Sequence, residues 1–162
     1  MTYNGQTTNY LQDSAAGLPV VLQEKVVSQT TASSFMYVPG STQLLYQTDP
    51  TNANAWYHTD AVGSVRAMTN DSGAILNNYT FGAFGQTTDQ SQTITNSHQF
   101  AGEQLDPTGF YYNRARYYDS SIGRFLGQDS YAGNASDPQS QNLYPYAQNN
   151  PVLYNDPSGH CL

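Results

Sequence analysis

Closely spaced turns punctuate the middle of the chain. Asp60-Ala-Val-Gly63 and Asn70-Asp-Ser-Gly73 separate short stretches rich in β-branched and aromatic residues, and Asp106-Pro-Thr-Gly109 repeats the pattern further on. In such turns the first side chain can accept a backbone N–H, and glycine tolerates the positive φ at the turn's exit. The spacing predicts a string of antiparallel β-hairpins, in which these first-position side chains have a structural role.

Strands are also predicted outside this region. Leu18–Val27 is a short, valine-rich run, and Phe35–Val38 and Leu44–Tyr46 flank a Pro-Gly turn, which predicts a further hairpin. Val152–Tyr154 predicts a last strand. Gly85–His98 is polar and lacks periodicity, so it predicts an exposed loop. The fold class predicted from these patterns is all-β.

The composition agrees with a β-structured domain that works outside the cell. Of the 162 residues, 38% are hydrophobic and only 10% are charged, whereas Tyr, Thr, Asn, Gln, Ser and Gly are abundant. The length suits one modest core. Tyrosine and phenylalanine rings can stack across neighbouring strands, which adds about 0.5–1.5 kcal/mol per pair to the burial of their apolar surface.

The charge and the apolar runs exclude several kinds of partner. A net charge of −7 and a pI near 4.4 argue against nucleic acid, because phosphate binding requires a basic surface. The same charge disfavours anionic membranes. The apolar runs are far too short to span a bilayer, and the N-terminal residues show no signal-peptide pattern. We expect no nucleic-acid partner and no membrane insertion.

No residue pattern in the sequence indicates a metal or a cofactor. The histidines, the cysteine and the carboxylates lack zinc-site spacing, the 70–73 turn lacks the ligand series of a calcium loop, and no glycine-rich phosphate loop is present. Cys161 is the only cysteine, which excludes an internal disulfide and predicts a bystander thiol.

Positive charge is concentrated in one stretch, residues 114–129, which holds three of the five basic residues. Arg114 and Arg116 are two positions apart, so they would project from the same face of a strand. Glu103, Asp119 or Asp129 could pair with them, and the sequence therefore predicts a buried arginine–carboxylate network. Its predicted members are Arg114, Arg116, Asp119 and Arg124.

Four motifs in fixed order resemble the C-terminal core of the Rhs/YD-repeat family. They are R-x-R-Y-Y-D-x-x-x-G-R-F-L-x-x-D (114–129), N-L-Y-x-Y (142–146), N-N-P (149–151) and D-P-x-G (156–159). Upstream, Tyr57–Arg66 and Tyr79–Gly85 resemble the degenerate YD units of the same family.

The resemblance implies a place in a longer polypeptide. Family members build a hollow β-shell from spiralling two-stranded units, and their C-terminal core curls inside to plug one end. Residues 1–55 would then be terminal strands of the spiral, and residues 56–162 would be the Rhs repeat-associated core domain. The implied partners are the upstream shell of the same polypeptide and a C-terminal toxin cargo. The implied location is bacterial, either secreted or on the cell surface.

Three functions are compatible with this resemblance. The first is a structural module that closes the shell around a C-terminal segment, or displays that segment. The second is an aspartyl autoprotease that acts only on its own chain. The third is a self-assembling or adhesive extracellular protein, because unpaired strand edges recruit other chains.

The protease alternative makes a specific prediction about residues. In toxin members of the family this region cuts the chain just after D-P-x-G-L, and hydrolysis by aspartates requires two carboxylates that share one proton. Asp129 stands at the family's R-F-L-x-x-D position, and Asp137 and Asp156 are available as its partner. The implied cleavage motif comprises Asp156, Pro157, Gly159 and His160, the last in place of leucine.

Overall fold

The computed structural model describes residues 1–15, 18–41 and 43–160, and the predicted all-β fold is confirmed. Cys161 lies outside the described residues. The strands are β1 (Thr2–Tyr3), β2 (Gln6–Asp13), β3 (Val20–Val27), β4 (Ala32–Pro39), β5 (Leu44–Thr48), β6 (Asn54–Thr59), β7 (Val65–Thr69), β8 (Ile75–Phe81), β9 (Thr87–Gln92), β10 (Gln104–Leu105), β11 (Tyr111–Asn113), β12 (Arg116–Asp119) and β13 (Arg124–Phe125). Three short 3₁₀ helices span Phe100–Gly102, Pro138–Gln141 and Ala147–Asn149.

The chain forms two compact units. The first comprises residues 1–58 and 67–77, and the second comprises residues 59–66 and 78–162. Strands β1 to β9 pair in chain order, so that each strand pairs with the next one along the chain, and β10 to β13 form a separate four-stranded sheet in the second unit. The domain boundary predicted after residue 55 stays a prediction.

The first unit buries tyrosines whose hydroxyl groups are hydrogen-bonded. Tyr37 donates to Glu24 Oε2 at 2.8 Å, and Tyr57 donates to Gln47 Oε1 at 2.7 Å. All four side chains are buried. A buried polar group is costly only when it lacks a partner, so these pairs allow a chain of low hydrophobicity to build a core.

The predicted turns form through their first side chain. Asp60 Oδ1 accepts the N–H groups of Val62 and Ser64 at 3.2 and 2.9 Å, and Gly63 has a φ of +90°. Asn70 and Asp106 bind the second and fourth residues after them in the same way. The structural role predicted for these side chains agrees with the geometry.

The core of the second unit is a cluster of rings, and we call it the aromatic core. Tyr118 is fully buried, its ring stacks on Tyr146 with centroids 4.3 Å apart, and its hydroxyl donates to the Phe84 carbonyl at 2.7 Å. The aromatic core consists of the rings of Phe100, Tyr111, Tyr118, Phe125 and Tyr146, together with the buried side chain of Ala147.

Two predictions of secondary structure were wrong. Val152 and Leu153 lie in a turn, Tyr154 has no regular secondary structure, and all three side chains are exposed. Its apolar residues gave the strand signal, but within residues 1–15, 18–41 and 43–160 they pair with no strand. The segment predicted as the loop Gly85–His98 contains β9, whose six residues are all exposed. This strand is defined by its pairing with β8, which leaves no hydrophobic pattern in the sequence.

Candidate functional site

Arg116, the first residue of β12, is the centre of a buried charge cluster. Its Nη2 atom lies 2.7 Å from Asp129 Oδ2 and 3.6 Å from Asp156 Oδ2. Its guanidinium carbon lies 3.8 Å from the centre of the Phe125 ring, and its Nη1 donates to the Leu143 carbonyl at 2.9 Å. A buried guanidinium is tolerated here because carboxylates, a carbonyl and an aromatic face replace its water.

Local hydrogen bonds fix the two carboxylates. Asp129 donates its N–H to the Leu143 carbonyl at 3.0 Å, and its Oδ1 accepts the N–H of Tyr131 at 2.9 Å. Asp156 Oδ1 accepts the N–H of Gly159 and the hydroxyl of Ser158, both at 2.9 Å. Each carboxylate therefore uses Oδ1 to hold its own turn and turns Oδ2 towards the same guanidinium nitrogen.

Burial changes the acid–base equilibrium of the Asp156 carboxyl group. Its side chain is only 4% exposed, and this burial raises the pKa of Asp156 above the ordinary aspartate value, although Ser158, Gly159 and Arg116 act in the opposite direction. A cavity of about 30 Å³ is lined by both Asp129 and Asp156. This volume can hold a water molecule beside the two carboxylates.

The residues of the predicted cleavage motif lie against this cluster. Arg116 Nε donates to the Gly159 carbonyl. The His160 Nδ1 atom lies 3.9 Å from Asp129 Oδ1 and 3.4 Å from the Ser130 hydroxyl. The structure thus brings Asp129, Asp156 and the backbone around residue 160 to one place.

Arg114 forms a second, separate ion pair. Its Nη1 lies 2.8 Å from both carboxylate oxygens of Glu103 and also donates to the Pro157 carbonyl. Burial raises the pKa of Glu103 to about 7 against the opposing effect of Arg114. Burial, and secondarily Arg114, lowers the pKa of His98 to about 4.

The prediction that Arg114 and Arg116 share one strand face was wrong. Strand β11 ends at Asn113 and β12 begins at Arg116, so Arg114 lies in the connecting turn, with a φ of +57°. The turn directs the two guanidinium groups to different carboxylates.

The remaining predicted residues lie outside these two ion pairs. Asp119 Oδ1 accepts the N–H and hydroxyl of Ser121 within its own turn, and Arg124 is exposed on β13. Asp137 is exposed and accepts the N–H of Gln139 at 3.2 Å, which caps the 3₁₀ helix Pro138–Gln141. The structure does not bring Asp137 into the cluster around Arg116, and the catalytic roles stay predictions.

Sequence reasoning missed Asn113, which is buried and donates its Nδ2 hydrogen to the Asp156 carbonyl at 2.8 Å. The available signal was a polar residue that ends an aromatic strand directly before Arg114. Within residues 1–15, 18–41 and 43–160, no group of three or more His, Cys, Asp or Glu side chains could hold a metal ion. The same described residues contain no helix that is long and apolar enough to cross a membrane.

Tyrosine-rich antiparallel hairpins, joined to a small sheet with an aromatic core and a buried arginine–aspartate cluster, define a module of the YD-shell class. The family model described as Teneurin YD-shell matches residues 25–152. The chain belongs to the Rhs/YD-repeat family.

The individual proteins that the chain matches are much longer than the chain itself. The chain is 37% identical to the tRNA3(Ser)-specific nuclease WapA of Bacillus spizizenii, over 99% of its own length and 7% of the nuclease. It is 36% identical to the double-stranded DNA deaminase toxin A of Burkholderia cenocepacia, over 64% of its length and 7% of the toxin. The crystal structure of TcdB2-TccC3-Cdc42 is similar to 96% of the chain with a TM-score of 0.75, at 22% identity and over 8% of that structure's chain.

Proposed function

We propose that this chain is the structural module that closes a YD-repeat β-shell and so encapsulates or displays a C-terminal, toxin-like segment of the same polypeptide. The observation that supports the proposal is that one module recurs in relatives whose names give different reactions, a tRNA nuclease and a DNA deaminase. A module that occurs in both a nuclease and a deaminase is suited to a function that both proteins need, such as storage or delivery of the enzyme. In this proposal the polypeptide is bacterial and acts outside the cell that makes it.

The geometry of the second unit suits this role. The aromatic core packs the second unit together, and Arg114 and Arg116 donate hydrogen bonds to the carbonyl groups of residues 157 and 159. A downstream segment would therefore leave the module from a fixed point and in a fixed direction. The buried ion pairs make this point costly to displace, because removing one partner leaves the other charge buried.

The proposal is tested by limited proteolysis of the chain together with its native upstream and downstream residues. We expect the downstream segment to resist an added protease, and we expect Arg116→Ala to abolish this resistance while Arg66→Ala preserves it. Arg66 is the matched control because its contact with Asp60 is 3.8 Å long and exposed. Equal digestion of the downstream segment in the wild type and after deletion of the upstream residues would contradict encapsulation.

We infer a second candidate function, hydrolysis of the chain's own peptide bond after His160. The supporting observation is that Asp129 and Asp156 face one nitrogen of Arg116 beside a cavity with room for water. In this mechanism Asp156, whose pKa is raised, would hold the proton and act as the acid. Asp129, which lies closer to Arg116, would be the carboxylate that accepts a proton from the attacking water.

The second candidate is tested by the intact mass of the chain extended beyond Leu162. We expect the wild type and Asp137→Asn to be shortened at the bond after His160, and Asp129→Asn and Asp156→Asn to remain whole. Asp137→Asn is the matched control because its carboxylate is exposed and lies outside the cluster around Arg116. An unshortened wild type would refute hydrolysis and leave the proposal of shell closure unaffected.

A further inference from the structure

Four consecutive carbonyl groups near the end of the described chain each accept a hydrogen bond from one of four consecutive residues. We call residues 113–116 the donor turn and residues 156–159 the bound segment. The bonds run from Asn113 Nδ2 to the Asp156 carbonyl at 2.8 Å, from Arg114 Nη1 to the Pro157 carbonyl, from the Ala115 N–H to the Ser158 carbonyl at 3.3 Å, and from Arg116 Nε to the Gly159 carbonyl. The register is one to one.

All four hydrogen bonds are accepted by backbone carbonyl groups of the bound segment and none by its side chains. Carbonyl groups are common to all residues, so the donor turn selects the conformation of its ligand. Two positions nevertheless restrict the sequence. Asp156 Oδ1 closes the turn by accepting the Gly159 N–H, and a Cβ atom on Gly159 would lie 2.0 Å from the Asn113 carbonyl oxygen. Gly159 also has a φ of +73°, which glycine adopts readily. The ligand class is therefore a peptide with the pattern Asp-x-x-Gly.

The residues that lead into the bound segment are exposed. The side chains of Val152, Leu153 and Tyr154 are 67%, 71% and 48% exposed, and the N–H groups of Leu153 and Tyr154 donate to Asn150 within their own turn. Such a stretch can serve as a tether for the bound segment. A short tether raises the effective concentration of its segment to about the millimolar range without adding contacts.

We propose that the donor turn is a peptide-binding site, which the bound segment fills in cis and which a separate Asp-x-x-Gly peptide can fill in trans. The affinity lies in the four hydrogen bonds to the carbonyl groups of the bound segment and in the 3.6 Å contact between Arg116 Nη2 and Asp156 Oδ2. The covalent link through residues 152–154 contributes proximity only. This proposal depends neither on shell closure nor on hydrolysis of the bond after His160.

The first test uses the full chain with Gly159→Ala, in which the cis segment no longer fits. A fluorescent peptide with the sequence of residues 155–160 is added, and its anisotropy reports binding. We expect the Gly159→Ala chain to bind the peptide and the wild type to bind it far more weakly, because its own segment competes. A peptide that carries the Gly159→Ala change should not bind, whereas one with Ser158→Ala should. Failure of the folded Gly159→Ala chain to take up the wild-type peptide would overturn the proposal.

A second test covers the case in which Gly159→Ala prevents folding. A recognition sequence for a specific endoprotease is inserted between Leu153 and Tyr154, and the chain is cut after it has folded. We expect the C-terminal fragment produced by the cut to remain bound to the donor turn. An excess of the fluorescent peptide should then displace it. The proposal would be overturned if the fragment dissociated and the peptide did not bind, or if the chain unfolded when it was cut. It would also be overturned if the fragment stayed bound and the peptide could not displace it.

Discussion

His98 and Glu103 give the free energy of unfolding two opposed dependences on pH. Burial raises the pKa of Glu103 from 4.5 to about 7, so the folded protein keeps a proton that the unfolded chain has released, and stability falls as the pH rises through this window. Burial lowers the pKa of His98 from 6.5 to about 4, so the unfolded chain holds a proton that the folded protein lacks. Stability due to His98 therefore increases as the pH rises from 4 to 6.5.

The two effects are of similar size. The pKa of Glu103 rises from 4.5 to about 7 and that of His98 falls from 6.5 to about 4, and each change corresponds to about 3 kcal/mol. Where the windows overlap, from pH 4.5 to 6.5, the slopes cancel. Glu103→Gln removes one slope and leaves the other.

Urea unfolding at several pH values from 4.5 to 7 measures this directly. We expect the free energy of unfolding of Glu103→Gln to rise relative to the wild type by about 3 kcal/mol across the window. The double variant Glu103→Gln with His98→Gln should lose the rising slope. Parallel profiles for Glu103→Gln and the wild type would refute the reasoning, because they would mean that the contact with Arg114 outweighs the burial of Glu103.

Three further substitutions test the packing of single residues by their free energies of unfolding. Arg116→Ala should cost about 3–5 kcal/mol because it leaves Asp129 and Asp156 buried without their cation, whereas Arg66→Ala should cost about 0–1 kcal/mol; equal losses would contradict the network. Tyr118→Phe removes only the hydrogen bond to the Phe84 carbonyl and should cost about 1–3 kcal/mol, since an acceptor is left unsatisfied; an unchanged midpoint would count against that bond. Asp60→Ala removes the two N–H bonds of its turn and should cost about 1–3 kcal/mol, which Asp60→Asn should largely restore.

The local part of this fold could be predicted from the sequence, and the reason is chemical. An aspartate or asparagine that accepts N–H groups two and four residues later forms its turn through local hydrogen bonds alone. The turn at Asp60 is therefore determined by neighbouring residues in the sequence. Strand β3 could also be predicted, because it is rich in valine. Strand β9 could not be predicted, because its six exposed polar residues give no burial pattern.

The site could be predicted only in part, because its members meet across long stretches of chain. Asp129 and Asp156 were marked by their motifs, but nothing in the sequence states that both face Arg116 and that Asp137 does not. The sequence also did not predict the positive φ of Arg114. This backbone conformation places the two arginines so that they bind different carboxylates. Distances in space of this kind follow from the packing of the sheet and not from sequence spacing.

Buried polar pairs explain how a chain with so few charges can hold one defined arrangement. A hydrophobic core accepts substitutes of similar volume, but a buried hydroxyl or carboxylate accepts only a partner placed within hydrogen-bonding distance. Tyr37 therefore requires Glu24 within hydrogen-bonding distance. In the same way Tyr57 requires Gln47, and Arg116 requires Asp129. Any shift in strand register would separate these partners and leave several polar groups buried and unsatisfied, at about 1–3 kcal/mol each. The polar pairs thus select one register among those that the short, similar hairpins would otherwise allow.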